Sequence, residues 1–274
     1  MKSCPRFIGL FLTGATYFSV VSAVFAQESQ SYSHLEDTIG SISFTSIFIS
    51  SFLLIAFAAI SLFVKPLKNS AKKLLFICIA TVAIAQTLFL AGSTIYVNVI
   101  SYSKGPVHYH ADFEIYNCGS HVELLDPSGL SNKIGTPTLH EHNDQRIHLE
   151  GVVVEDTDQS LGKFFHVIGG YISSNSISVP TNNGHLTLKN GNTCPDGIPG
   201  SLNVFVYKAI NGKYVQQKIT NPESYIYAPY SQVPSGDCVI IEFGPSEEFT
   251  NRLCRSYQVA EKLGKIQNGG RLNN

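Results

Sequence analysis

Eight of the nine histidines follow residue 107, and five of those arrive in tight groups: His108 with His110, then His140, His142 and His148. Imidazoles gathered in acidic surroundings point first to a divalent transition metal, because a neutral ring nitrogen is a common ligand for such ions. From His108 to Asp158 the chain carries ten Asp and Glu against two basic residues, Lys133 and Arg146, so the local field favours cations. An i, i+2 pair on a strand turns both rings to one side about 7 Å apart at the backbone, close enough to share an ion. His108 and His110 meet that condition, and His148 with Glu150 repeats it. The segment before His148 reads as a loop, because Asn143 and Asp144 follow His142, and it supplies His140 and His142. The candidate ligands to one ion are therefore His108, His110, His140, His142, His148 and Glu150, with Asp112 and Asp144 expected to fix ring orientation by accepting the other ring N–H. His34, His121, His166 and His185 stand outside this set.

The one methionine is the initiator, so thioether ligands for Cu(I) are missing, and imidazole with carboxylate suits Zn²⁺ or Cu²⁺. His140-Glu141-His142 lacks the i, i+4 histidine spacing of helical zinc proteases. No Gly-x-Ser-x-Gly elbow, phosphate loop or dinucleotide fingerprint occurs, and no residue is assigned a catalytic role. The stretch from Gly105 to Gly119 resembles in part the first metal motif of cupins, but its spacing to both glycines departs from that family and the second motif is missing. A metal-dependent enzyme with Glu114, Glu141 or Glu150 as base is the rival to a metal-binding function. A surface structural or adhesive module, with histidines that only hydrogen-bond, is the third reading.

The elements that must hold these residues follow a membrane anchor. Lys2 and Arg6 precede an apolar stretch from Phe7 to Phe25, and Val24-Phe25-Ala26 before Gln27 fits a leader over residues 1–26. Two uncharged runs, 38–64 and 74–103, each exceed the roughly 20 residues that span hydrocarbon, and predict membrane helices over about 41–64 and 74–98 within an anchor of residues 27–103. Lys65, Lys68, Lys72 and Lys73 lie between them, whereas Glu28, Glu36 and Asp37 precede the first, so the lysine loop is expected in the cytoplasm and residues 104–274 outside.

That outer part has 17 acidic and 13 basic residues, and no basic patch invites nucleic acid. Its four cysteines, Cys118, Cys194, Cys238 and Cys254, predict two disulfides in an oxidising compartment, with Cys238–Cys254 and Cys118–Cys194 favoured among three pairings.

Alternation from Val107 to Tyr116 predicts a strand with one apolar face, and His121–Leu125 a return strand. Residues 126–138 read as a long loop. Strands are expected over 146–154, 185–188, 202–209, 213–219 and 237–243, a short helix from Ser160 to the stop at Gly169-Gly170, and a closing helix over 247–265. This order predicts an α+β domain with a mixed sheet, arranged in a β-grasp-like way.

His108-x-His110-Ala-Asp-Phe, Leu139-His140-x-His142-Asn-Asp, Ile147-His148-x-Glu150-Gly and Leu161-Gly162-x-Phe164-Phe165 together resemble a group of uncharacterised membrane-anchored outer domains of candidate-lineage bacteria, with related archaeal versions. The resemblance covers about residues 105–245; it implies a recurring His-rich site and brings no known reaction. The partners expected are a lipid bilayer, a transition-metal ion and a membrane or surface protein.

Overall fold

A computed structural model describes residues 33–64, 67–227, 233–234 and 236–271. The expected leader lies outside these residues. Helices α1 (Ser33–Phe63) and α2 (Asn69–Ile100) are long and apolar enough to cross a membrane by length and composition. Each extends beyond the span read from the sequence, because helical hydrogen bonding continues through the polar flanks. Gln86 joins them: its Nε2 donates to Ser46 Oγ at 3.0 Å and its Oε1 accepts from Ser50 Oγ at 2.8 Å. Such polar clasps help helices associate where lipid removes any hydrophobic drive between them.

After α2 the chain enters a mixed α+β domain. Its strands are β1 (Pro106–Asn117), β2 (Ser120–Val122), β3 (Ile134–Gly135), β4 (Leu139–Glu141), β5 (Arg146–Val152), β6 (Tyr171–Ile172), β7 (Ser176–Thr181), β8 (Gly184–Lys189), β9 (Ser201–Ile210), β10 (Lys213–Lys218), β11 (Cys238–Gly244) and β12 (Gln267–Arg271). Nine form one sheet in the order β12-β10-β9-β11-β1-β5-β4-β3, with β2 beside the end of β1, and β6-β7-β8 form a second, small sheet. The central pair β1–β11 is parallel, and their neighbours β5 and β9 run antiparallel to them.

One face of the large sheet carries the main core. Ala111, Phe113, Ile115, Ile147, Leu149, Val206, Val239 and Ile241 pack there with Phe164 and Phe165 of helix α3 (Leu161–Val167). The start of α3 is as the sequence indicates, with Ser160 Oγ accepting the Lys163 N–H at 3.1 Å as an N-cap. The other face is half covered. Helix α4 (Arg255–Lys262) lays Tyr257 and Ala260 over Phe205, Tyr207 and Ile240, leaving the β1-β5-β4 half free for polar side chains.

The closing helix is eight residues long, not the whole expected 247–265 segment. Residues before it are held extended by tertiary bonds: Thr250 N donates to Gln216 Oε1 at 3.1 Å and Arg252 Nε to Glu242 Oε1 at 2.7 Å. Five strand segments escaped the sequence reading, among them β3 and β4 in stretches read as loops. β7 is masked by its serines and Pro180, β6 has two residues, and β12, Gln-Asn-Gly-Gly-Arg, is fully exposed and held by pairing with β10.

Gly236 must be glycine: its φ is +69°, and an added Cβ would stand 1.8 Å from the carbonyl oxygen of His110. This close approach seats the start of β11 against the histidine strand.

Cys118 is bonded to Cys194, and Cys238 to Cys254. The second bond ties the central strand β11 to the cap position of α4. Non-reducing peptide mapping of the full chain is expected to recover these two linked pairs. Removing Cys238–Cys254 should cost on the order of 2–5 kcal/mol, read as a lower thermal midpoint in detergent.

Candidate metal centre

Antiparallel pairing of β1 with β5 sets His108 opposite Glu150, His110 opposite His148 and Asp112 opposite Arg146; pairing of β4 with β5 sets His140 opposite His148. Strand alternation turns all of these to the half-free face, because Val107, Tyr109, Ala111, Ile147 and Leu149 take the core side. His140 lies on β4 and is 1% exposed, contrary to its expected place in a loop. The pairing with β5 extends two residues farther than the polar Asn143-Asp144 turn suggested. His142 follows immediately after the strand.

The six candidate ligands fall into two groups, His108/His110/Glu150 and His140/His142/His148, each with its donor atoms within 4.8 Å of one another. In the first, His108 Nε2 is 3.2 Å from His110 Nε2 and 3.1 Å from Glu150 Oε1. A ring nitrogen carries one proton or one lone pair, so it cannot form two linear hydrogen bonds. With ion–ligand bonds of about 2.0–2.1 Å, two ligands of a tetrahedral ion stand roughly 3.3 Å apart. Both distances match that edge.

In the second group the ring orientations are fixed from outside. His142 Nδ1 contacts the Asn132 carbonyl, which can only accept, so the proton sits on Nδ1 and the lone pair on Nε2. His148 Nε2 is 3.1 Å from Asp144 Oδ2, which leaves its Nδ1 lone pair facing inward, 4.0 Å from Glu150 Oε1. Asp144 is thus in contact with one ring of the cluster. Asp112 instead accepts from Arg146 Nε at 2.6 Å and from Ser256 Oγ, since register places Arg146 directly opposite. His140 Nδ1 is buried with no hydrogen-bond partner among the described residues, a state that costs roughly 1–3 kcal/mol and that coordination or a water would relieve.

The remaining candidates lie elsewhere. Glu114 accepts from Tyr116 Oη at 2.6 Å and from the Arg255 N–H at 3.2 Å, beside α4. Alternation turns Glu141 toward Phe113 and Leu124, where its Oε1 accepts the Asp144 and Gln145 N–H groups and burial raises its pKa. Of the three carboxylates considered as bases, only Glu150 is among the imidazoles. His121, His166 and His185 are exposed and apart from the cluster. The Asn132 carbonyl was not foreseen as a partner, and a backbone acceptor from a loop leaves no trace in residue type.

A cleft of about 580 Å³ opens beside the cluster between α4 and Asp112, Asp144 and Arg146, with Val259 and Leu263 on its far wall. Comparison with protein-family models, with curated proteins and with solved structures finds no match.

Burial, reinforced by Lys133, lowers the pKa of His140 from 6.5 to about 4, and burial together with the neighbouring His148 and His108 lowers that of His110. Both rings therefore keep their lone pairs below pH 6.5. A folded-state pKa below the unfolded value means that the unfolded chain binds the proton first, so stability is full above pH 6.5 and falls as pH drops toward 4. For His140 alone the loss is about 3 kcal/mol. Thermal unfolding of metal-free protein from pH 7 to 4 should show this decline, and His140→Gln should flatten it. An unchanged slope in the variant would contradict the assignment.

Proposed function

We propose that the chain is a membrane-anchored, extracytoplasmic transition-metal-binding protein that captures, senses or delivers Zn²⁺ or Cu²⁺ at the cell surface. The observation that carries this reading is that His108 Nε2 stands at the spacing of tetrahedral ligands from both His110 Nε2 and Glu150 Oε1, next to His140, His142 and His148 on one sheet face. Five imidazoles and one carboxylate form a borderline donor set that suits these ions. The His108 side chain is 64% exposed, which fits ion exchange with solvent or with a partner protein.

A metal-dependent enzyme is the second reading, favoured by the cleft that begins at Asp144, the orienting partner of His148. Glu150 would then be ligand and base at once.

Two apolar helices support membrane association, and two disulfides support an oxidising compartment. The lysines between the helices support a cytoplasmic connection and an outward domain. Within that domain the order β5-β1-β11-β9-β10, with α3 in the crossover between β5 and β9, supports a β-grasp-like core. Membership in the group of outer domains with the four motifs belongs to the same proposal.

Calorimetric titration of the full chain in detergent with Zn²⁺ or Cu²⁺ should show saturable binding. The His108→Ala/His148→Ala double variant, with an unchanged thermal midpoint, should bind at least 10–100-fold more weakly, the loss typical of even indirect partners of a metal site. Undiminished affinity would return the cluster to a structural or adhesive role. For topology, a thiol introduced as Ser70→Cys in a variant otherwise free of exposed thiols should resist an impermeant reagent in intact cells and react after lysis. Labelling before lysis would reverse the orientation.

A further inference from the structure

We propose that this face holds two ions and that Glu150 bridges them; the inference rests on the metal-binding reading above. Six donors exceed what one four-coordinate ion takes, and they divide by position into two triads rather than around one centre. The dividing residue is Glu150. Its Oε1 lies 3.1 Å from His108 Nε2 in one triad, while its Oε2 lies 4.0 Å from His140 Nε2 in the other. Oε1 also lies 4.0 Å from His148 Nδ1 of the second triad, so the carboxylate reaches both ligand groups and is placed to bridge two cations.

Strand β5 contributes one residue to each triad. His108 and His110 come from β1, His140 from β4, and β5 between them gives Glu150 and His148. Adjacent strands are about 4.8 Å apart, and paired catalytic or structural ions stand roughly 3.5–4 Å apart. Two ions over neighbouring strands are therefore compatible with a shared carboxylate after small side-chain adjustment.

The two positions differ in access. His140 is buried and the His142 and His148 rings are held by Asn132 and Asp144, so the inner ion has prepaid orientation on its ligands. The outer ion sits on His108, the most exposed ring of the cluster, and keeps coordination positions open to solvent. The inner site retains its ion and the outer site exchanges.

The test uses the full chain in detergent, stripped with chelator and titrated with Zn²⁺ against a chromophoric competitor, and in parallel with Cu²⁺ followed by electron paramagnetic resonance. Two equivalents are expected, the second at least tenfold weaker. His108→Ala should lose only the weaker one, and His142→Ala should weaken the tighter one. At two equivalents of Cu²⁺ the spectrum should show dipolar broadening and a half-field transition, both absent in Glu150→Gln. One equivalent with an isolated-ion spectrum overturns the pair while leaving the metal-binding reading intact. Two equivalents without magnetic interaction overturn the bridge. No binding of either ion removes both readings together.

Discussion

The antiparallel register between β1 and β5 is the constraint on which the rest of the α+β domain depends. A slip of β5 by one residue against β1 would send His148 and Glu150 into the core and bring Ile147 and Leu149 out to water. The apolar side of both strands, packed against Phe164 and Phe165, therefore specifies the polar side as firmly as any contact among the histidines does. The site is positioned by hydrophobic burial on the face it does not occupy.

The polar half-face has its own cost, and the structure meets it in two ways. Near α4, Asp112 is nearly buried and is matched by Arg146 and Ser256, so its charge is compensated. Removing Arg146 would leave a buried carboxylate unpaired, which is far more expensive than the net gain from the pair. Farther from α4 the compensation stops: the imidazoles crowd one another, burial and neighbouring positive charge lower the pKa of His110 and His140, and His140 Nδ1 has no partner among the described residues. A cluster made only to stabilise the sheet would be better served by apolar or fully paired side chains. Neutral rings with inward lone pairs are what a cation requires.

Much of this was legible in the sequence, and the exceptions have physical reasons. Period-two alternation exposed β1 and β5 because one face is buried and the other is not, and the His-x-His and His-x-Glu spacing followed from the same alternation. Ser160 and the paired glycines marked α3. The strand at His140 was misread because its three residues precede a polar turn, and its assignment depends on pairing with Leu149 and His148, a tertiary fact. The closing helix was overextended because Phe249 and Leu253 continue a helical period while Gln216 and Glu242 hold that segment extended. The partner of Asp112 followed from cross-strand register, which no single strand reveals.

The anchor gives the site its place. Only five residues separate α2 from β1, and they are not slack: Tyr102 N donates to the Val154 carbonyl at 3.0 Å and Ser103 N to the Val153 carbonyl at 3.1 Å. β1 therefore continues from helix α2 through a clamped connection, and His108 comes two residues after its first. The donor face is held at the helix-proximal end of the domain, not carried on a loose tether. The short, bonded connection thus fixes the donor face relative to the end of α2.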